Sequence, residues 1–292
     1  MRNIRIIPRI DIKGPNLVKG IHLEGLRVIG KPEKFAKYYY ENGADELLYM
    51  DVVASLYGRN SLDEIIQKTS KEIFIPLTVG GGLRTLADIR RVLRCGADKV
   101  SLNTAAIQRP ELIKEAAEEF GSSTIVVSIE AIKMPDGSYE AYTDNGREKT
   151  GVDAIGWAKR VEELGAGEIL LTSIDQEGTG RGFDFELVCT IAGLVSIPVI
   201  ACGGAGNIEH IHQVISDAKA DAVSIASILH YNFIRHHPEI LDDFSSEGNI
   251  EFLKSRREFQ RIQDAPLPEI KKYLFEQGVA CRFNEVALSK EP

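Results

Sequence analysis

The chain repeats itself. The segment VGGGLRTLADIRRVLRCGADKVSLNTA at 79–105 is matched by ACGGAGNIEHIHQVISDAKADAVSIAS at 201–227, both in glycine placement and in the order strand, helix, strand. GADELLYMD at 43–51 pairs with GAGEILLTS at 165–173, and IIPRIDIK at 6–13 with VVSIEAIK at 126–133. Three matched segments at an offset of about 120 residues divide the chain into two similar halves, 1–122 and 123–292.

Each half carries the same alternation. Short apolar runs at 4–11, 45–51, 74–79, 98–102, 123–130, 168–173, 198–202 and 221–225 read as strands. Amphipathic stretches at 31–42, 59–69, 85–94, 109–120, 152–164, 183–192, 207–216 and 267–277 read as helices. Runs such as STIVVSI and VSIPVIA are apolar without alternation, as expected of parallel strands covered on both faces. An open sheet would give two equal halves unequal edges, whereas a closed ring accommodates them. The expected fold is therefore α/β, a (βα)8 TIM barrel built from two similar half-barrels in a single domain over 1–292. A charged, mixed segment at about 237–265 precedes the final helix and reads as an exposed insertion.

Composition narrows the partners. With 35 Lys and Arg against 43 Asp and Glu, the net charge is −8, which disfavours nucleic acid and anionic membrane as bulk partners but leaves a small phosphorylated metabolite open. The opening MRNIRIIPRID turns polar too soon for a secretory signal, no run is long enough to span a bilayer, and the four cysteines lack metal-knuckle spacing. The expectation is a cytoplasmic protein with reduced thiols. The six histidines form no evident metal shell, so neither a metal nor a cofactor is expected.

In a barrel, the loops after the strands converge at one mouth, so residues distant in sequence become neighbours there. Asp11 and Glu130 end strands one and five and should face each other across that mouth. They could act as general acid and general base if their surroundings separate their pKa values. Taken singly, each could equally be a strand-end cap or an ion-pair partner. Gly80, Gly81 and Gly82 follow strand three, and Gly203, Gly204 and Gly206 follow strand seven. Turns without side chains let backbone N–H groups approach an anion beside a helix N-terminus. Asn103 and Thr104, and Ser227 in the other half, complete two phosphate cradles suited to a substrate with a phosphate at each end. Lys19 lies in a long first loop that could close over substrate. At the opposite end, Arg5, Glu46, Lys99 and Glu168 stand at strand starts, where alternating charges could plug the barrel.

Together RIIPRIDIKG, VKG around Lys19, DELLYMD, TVGGG, ADKVSLNTAA, GAGEILLTSID and ACGGAG resemble the cyclase subunit family of imidazole glycerol phosphate synthase, over about 1–235 and again at 267–283. The resemblance implies a lyase of histidine biosynthesis. It would take ammonia from a glutaminase partner, as a heterodimer, through the barrel axis. The substrate would be N'-[(5'-phosphoribulosyl)formimino]-5-aminoimidazole-4-carboxamide ribonucleotide, and the products imidazole glycerol phosphate and aminoimidazole carboxamide ribonucleotide. It further implies that Asp11 is the acid/base residue and Lys19 the mobile-loop lysine. Gly81, Gly82, Asn103 and Thr104 would form one cradle, and Gly203, Gly204 and Ser227 the other, with Glu177 also among the substrate-binding residues. Arg5, Glu46, Lys99 and Glu168 would form the ammonia gate.

Three positions depart from the family pattern. Glu130 stands where the family has an aspartate, Glu177 where it has an aspartate in the loop after strand six, and Arg9 where it has a small cysteine. They motivate an alternative, a paralogous ammonia-dependent subunit that amidates a sugar or nucleotide-sugar.

Overall fold

The computed structural model describes residues 3–54, 62–237 and 262–283. Most of the insertion expected at 237–265 therefore lies outside the described residues, as does the start of the helix expected at 59–69.

Eight parallel strands close into a barrel: β1 (Arg5–Lys13), β4 (Leu47–Asp51), β5 (Leu77–Gly80), β6 (Lys99–Leu102), β7 (Ile125–Lys133), β10 (Glu168–Ser173), β11 (Val199–Cys202) and β12 (Ala222–Ile225). Pairing of β1 with β12 and of β7 with β10 completes the ring. This is the (βα)8 fold that the alternation implied. The helices are α1 (Pro32–Glu41), α2 (Asp63–Thr69), α3 (Leu86–Cys95), α4 (Thr104–Gln108), α5 (Glu111–Phe120), α6 (Ala154–Glu163), α7 (Phe185–Leu194), α8 (Ile208–Ser216), α9 (Ser227–His236) and α10 (Leu267–Glu276).

Strand alternation sorts the residues between two cores. On β1, Ile6, Ile10 and Ile12 join the large apolar shell between barrel and helices, while Ile7 turns inward with Leu48, Val126, Leu170 and Ile200. Arg5, Arg9 and Asp11 share the inward face, as does Glu130 on β7. Local chemistry starts the helices where the strands need them. Thr85 and Asp88 form a reciprocal capping box on α3, and Asp153, Asp184 and Asn207 cap α6, α7 and α8.

The structure corrects the reading at two places. The long first loop is an antiparallel hairpin, β2 (Asn16–Ile21) and β3 (Glu24–Gly30), and Lys19 lies on β2. The unassigned stretch after strand five is a second hairpin, β8 (Tyr139–Thr143) and β9 (Glu148–Asp153), so α6 begins at Ala154 rather than 152. β1 and β7, the matched strands of the repeat, each continue into such a hairpin. Both hairpins escaped periodicity because only part of each reaches the core: Leu17 and Ile29, and Tyr139 and Ala141, join the apolar shell, while the start of β3 and all of β9 are exposed or half-buried.

Candidate active site at the strand ends

The inward residues at the ends of β1 and β7 meet around one guanidinium. Arg9 Nε donates to Asp11 Oδ1 at 2.8 Å, and Arg9 Nη1 stands 3.4 Å from both Thr172 Oγ1 and Cys202 Sγ. Arg9, Asp11 and Glu130 are all buried. Burial penalises the Arg9 charge, but Asp11, Cys202 and Glu177 together outweigh it and hold the guanidinium well above its ordinary value.

Glu130 sits in register with Thr172 on the neighbouring strand. Burial pushes its carboxyl up to about 7; Arg9 and the N–H of Gly146 pull the other way, while Asp11 and Asp144 add to the rise. Gly146 reaches the carboxylate because Asp144, Asn145 and Gly146, at the tip of the β8–β9 hairpin, all take left-handed backbone conformations. Glu130 Oε2 has no protein partner among the described residues.

Glu130 also lines a cavity of about 190 Å³ with Asp51, Gly81, Gly82, Asn103 and Thr104. Gly81 has φ +99°, and a Cβ there would lie 2.3 Å from the Asp51 carbonyl oxygen, so the turn requires glycine. Thr104 Oγ1 accepts from the Asp144 N–H at 3.1 Å, and Asn103 Nδ2 donates to the Tyr142 carbonyl at 3.2 Å. The first expected cradle and one of the two expected carboxylates thus share a single cavity.

The second cluster lies beside the first hairpin. Lys19 Nζ donates to Glu177 Oε1 at 2.5 Å, Glu177 Oε2 accepts from the Leu23 N–H at 3.2 Å, and the His22 N–H donates to the Glu177 carbonyl at 3.0 Å. Burial opposes the Lys19 charge, yet Glu177 and Asp11 hold its pKa above the ordinary lysine value. Gly203 packs beneath: a Cβ there would lie 2.7 Å from the Ser173 carbonyl oxygen and 3.5 Å from Glu177 Cα. A Cβ on Gly204 would lie 2.0 Å from the Gly182 carbonyl oxygen. Ser227, first residue of α9, is hydrogen-bonded to Tyr231, which feels the charges of Lys19 and Glu177. Gly203, Gly204 and Ser227 are therefore neighbours of the Lys19–Glu177 pair and do not line the cavity around Glu130. Arg9 links the two groups, since both Asp11 and Glu177 raise its pKa.

At the strand starts the four predicted charges form a closed ring. Arg5 Nη1 donates to Glu46 Oε1 at 2.7 Å and to Glu168 Oε1 at 3.0 Å; Lys99 Nζ lies 3.2 Å from Glu46 Oε1 and 3.0 Å from Glu168 Oε1. Each cation bridges both carboxylates across the barrel. Above them Ile7, Leu48, Val126, Leu170 and Ile200 turn into the lumen, and the same alternation turns the buried hydroxyl side chains of Thr78, Ser101, Ser128 and Ser224 inward beside them.

Sequence reasoning missed Asp51, Asp144 and Thr172. Asp51 ends β4 as Asp11 nears the end of β1, so the strand-end rule that singled out Asp11 would have found it; Asp144 depended on a hairpin that was not foreseen. Among the described residues, no cluster of three His, Cys, Asp or Glu side chains could hold a metal ion, and no helix is long and apolar enough to cross a membrane.

Fold and site together define a (βα)8-barrel enzyme with an acid-lined mouth and a charged ring closing the other end. The model of the histidine biosynthesis protein family matches residues 5–235, and the chain belongs to that family. Its similarity to imidazole glycerol phosphate synthase subunit HisF is extensive. The Legionella pneumophila protein is 60% identical over 209 residues, spanning 72% of this chain and 99% of the relative. Those of Bacillus cereus (strain Q1) and Methanocaldococcus jannaschii are each 49% identical, over 227 and 246 residues, spanning 78% of this chain and 90% of each relative.

Proposed function

We propose that this chain is the cyclase subunit of an imidazole glycerol phosphate synthase. It combines ammonia with the phosphoribulosyl-formimino intermediate and releases imidazole glycerol phosphate and aminoimidazole carboxamide ribonucleotide. The observation that carries this reading is the convergence of Asp11, Glu130, Lys19 and two glycine turns on one mouth, in a chain of this family.

Ammonia addition to a carbonyl, followed by ring closure, requires protons to move at nitrogen, oxygen and carbon. Glu130, with a pKa near 7, can give or take a proton at neutral pH. Asp11, fixed through Oδ1 by Arg9, supplies the second carboxylate. Gly81, Gly82, Asn103 and Thr104 hold one substrate phosphate; Gly203, Gly204 and Ser227 hold the other beneath the hairpin that carries Lys19. The partner is a glutaminase, docked at the strand-start end. The ring of Arg5, Glu46, Lys99 and Glu168 admits its ammonia, and the uncharged lumen above, of Ile7, Leu48, Val126, Leu170 and Ile200 with the hydroxyls of Thr78, Ser101, Ser128 and Ser224, favours the neutral molecule over ammonium. We place the protein in the cytoplasm.

The test supplies the purified chain with ammonium salt and the phosphoribulosyl-formimino intermediate. Release of both products supports the reading; a folded chain that binds inorganic phosphate but does not turn the intermediate over contradicts it.

A further inference from the structure

Arg9 stands above the lumen and below the mouth, held at three points. Its Nε is anchored on Asp11 of its own strand, and Nη1 reaches β10 and β11. Nη2 is buried and has no protein acceptor among the described residues. Leaving a charged donor unpaired in the interior forfeits its hydration with nothing in return, so a guanidinium anchored this firmly with one amino group unused is poised for an acceptor from outside the chain. Glu130 Oε2, buried at the same mouth, likewise lacks a protein partner.

The position restricts what that acceptor can be. The glycine turns expected to take phosphate lie after β5 and β11, whereas Arg9 reaches inward from β1 between them. Its charge is already matched by Asp11 at 2.8 Å, so a neutral oxygen satisfies Nη2 without adding an unbalanced charge to the buried floor.

We propose that Arg9 is a substrate-contacting, specificity-determining residue whose Nη2 donates to a neutral oxygen, carbonyl or hydroxyl, in the part of the substrate between its two phosphates. This inference rests on the bis-phosphorylated substrate proposed above. A compound lacking that oxygen would leave the donor unpaired in the complex and be rejected for that reason.

Isothermal titration of the full chain with two probes, inorganic phosphate and the phosphoribulosyl-formimino intermediate without ammonia, tests the contact in wild type, Arg9→Met and Arg9→Lys. Phosphate affinity should stay within about twofold in all three, since Arg9 touches neither glycine turn. Affinity for the intermediate should fall at least about tenfold in Arg9→Met, the loss expected for one charge-assisted hydrogen bond, and recover in part in Arg9→Lys. Wild-type affinity for the intermediate in Arg9→Met overturns the proposal, as does an equal loss for both probes, which marks a structural role. If Arg9→Met does not fold, Arg9→Lys decides: a selective loss for the intermediate supports the contact and an unchanged affinity overturns it. A wild-type chain that binds phosphate but not the intermediate instead overturns the substrate reading, and this contact with it.

Discussion

Lys19 and Glu177, 158 residues apart, form a buried ion pair that ties the β2–β3 hairpin to the turn after β10. Glu177 binds the hairpin a second time through the Leu23 N–H, and Gly178 lies so close to it that a Cβ would meet the Gly20 carbonyl oxygen at 2.7 Å. The hairpin is thus seated on the mouth by polar contacts, with a small apolar cluster of Leu23, Tyr142 and Ile174 beneath its tip.

Replacing Glu177 by Gln leaves the Lys19 ammonium buried without its carboxylate, a change that costs about 3 kcal/mol for a buried pair. The hairpin relieves that cost by lifting. Amide exchange across residues 16–30 is expected to accelerate at least tenfold in Glu177→Gln while exchange in the barrel strands is unchanged; equal protection in the two proteins would show that the pair does not hold the hairpin.

Glu130 makes stability depend on pH. Its folded-state pKa, about 7, lies above the ordinary glutamate value of 4.5. Between these values the folded chain therefore holds more protons than the unfolded chain, and stability is lost as pH rises through the window. The penalty reaches about 3 kcal/mol above pH 7. Glu130→Gln carries no such penalty, so it should melt several degrees above wild type at pH 8 and coincide with it near pH 4.5. A constant offset across that range would contradict the assignment.

The gate proposed for the charged ring can be tested with two nitrogen sources. In Glu168→Gln, Arg5 and Lys99 share Glu46 alone, which weakens a half-buried network by on the order of 2 kcal/mol. Turnover with glutamine and a glutaminase partner should fall several-fold more than turnover with free ammonia, which can also reach the mouth from solvent. An equal fall in both assays would argue that the ring is structural only.

Two glycines make a matched pair. At Gly81, with φ +99° and the Asp51 carbonyl 2.3 Å from an added Cβ, Gly81→Ala should cost about 2 kcal/mol or more and weaken phosphate binding. At Gly193, in the last turn of α7, nothing lies within 4 Å of an added Cβ, and Gly193→Ala should be neutral or stabilising by about 0.5 kcal/mol. Denaturant melts of both variants check the contrast.

The barrel was legible because its strands read as short, largely apolar runs and its halves repeat; β10 falls on the predicted 168–173 without adjustment. The four charges of the ring could be read from their places at strand starts, and Arg5 and Lys99 each bridge Glu46 and Glu168. The hairpins could not be read. NLVKGI and YEAYT pack mainly on their parent strands and across the mouth, so no helix-facing pattern marked them. Arg9 was visible as a bulky charge beside Asp11, but its reach to β10 and β11 depends on barrel closure, which no local pattern encodes.

The account depends most on Asp11 acting in the chemistry and not in holding phosphate. Turnover of the phosphoribulosyl-formimino intermediate with ammonia, measured beside phosphate affinity in wild type and Asp11→Asn, tests this directly. The expected result is a fall in kcat of a hundredfold or more, with phosphate affinity within about twofold of wild type. Parallel losses in both, or undiminished turnover, would contradict it.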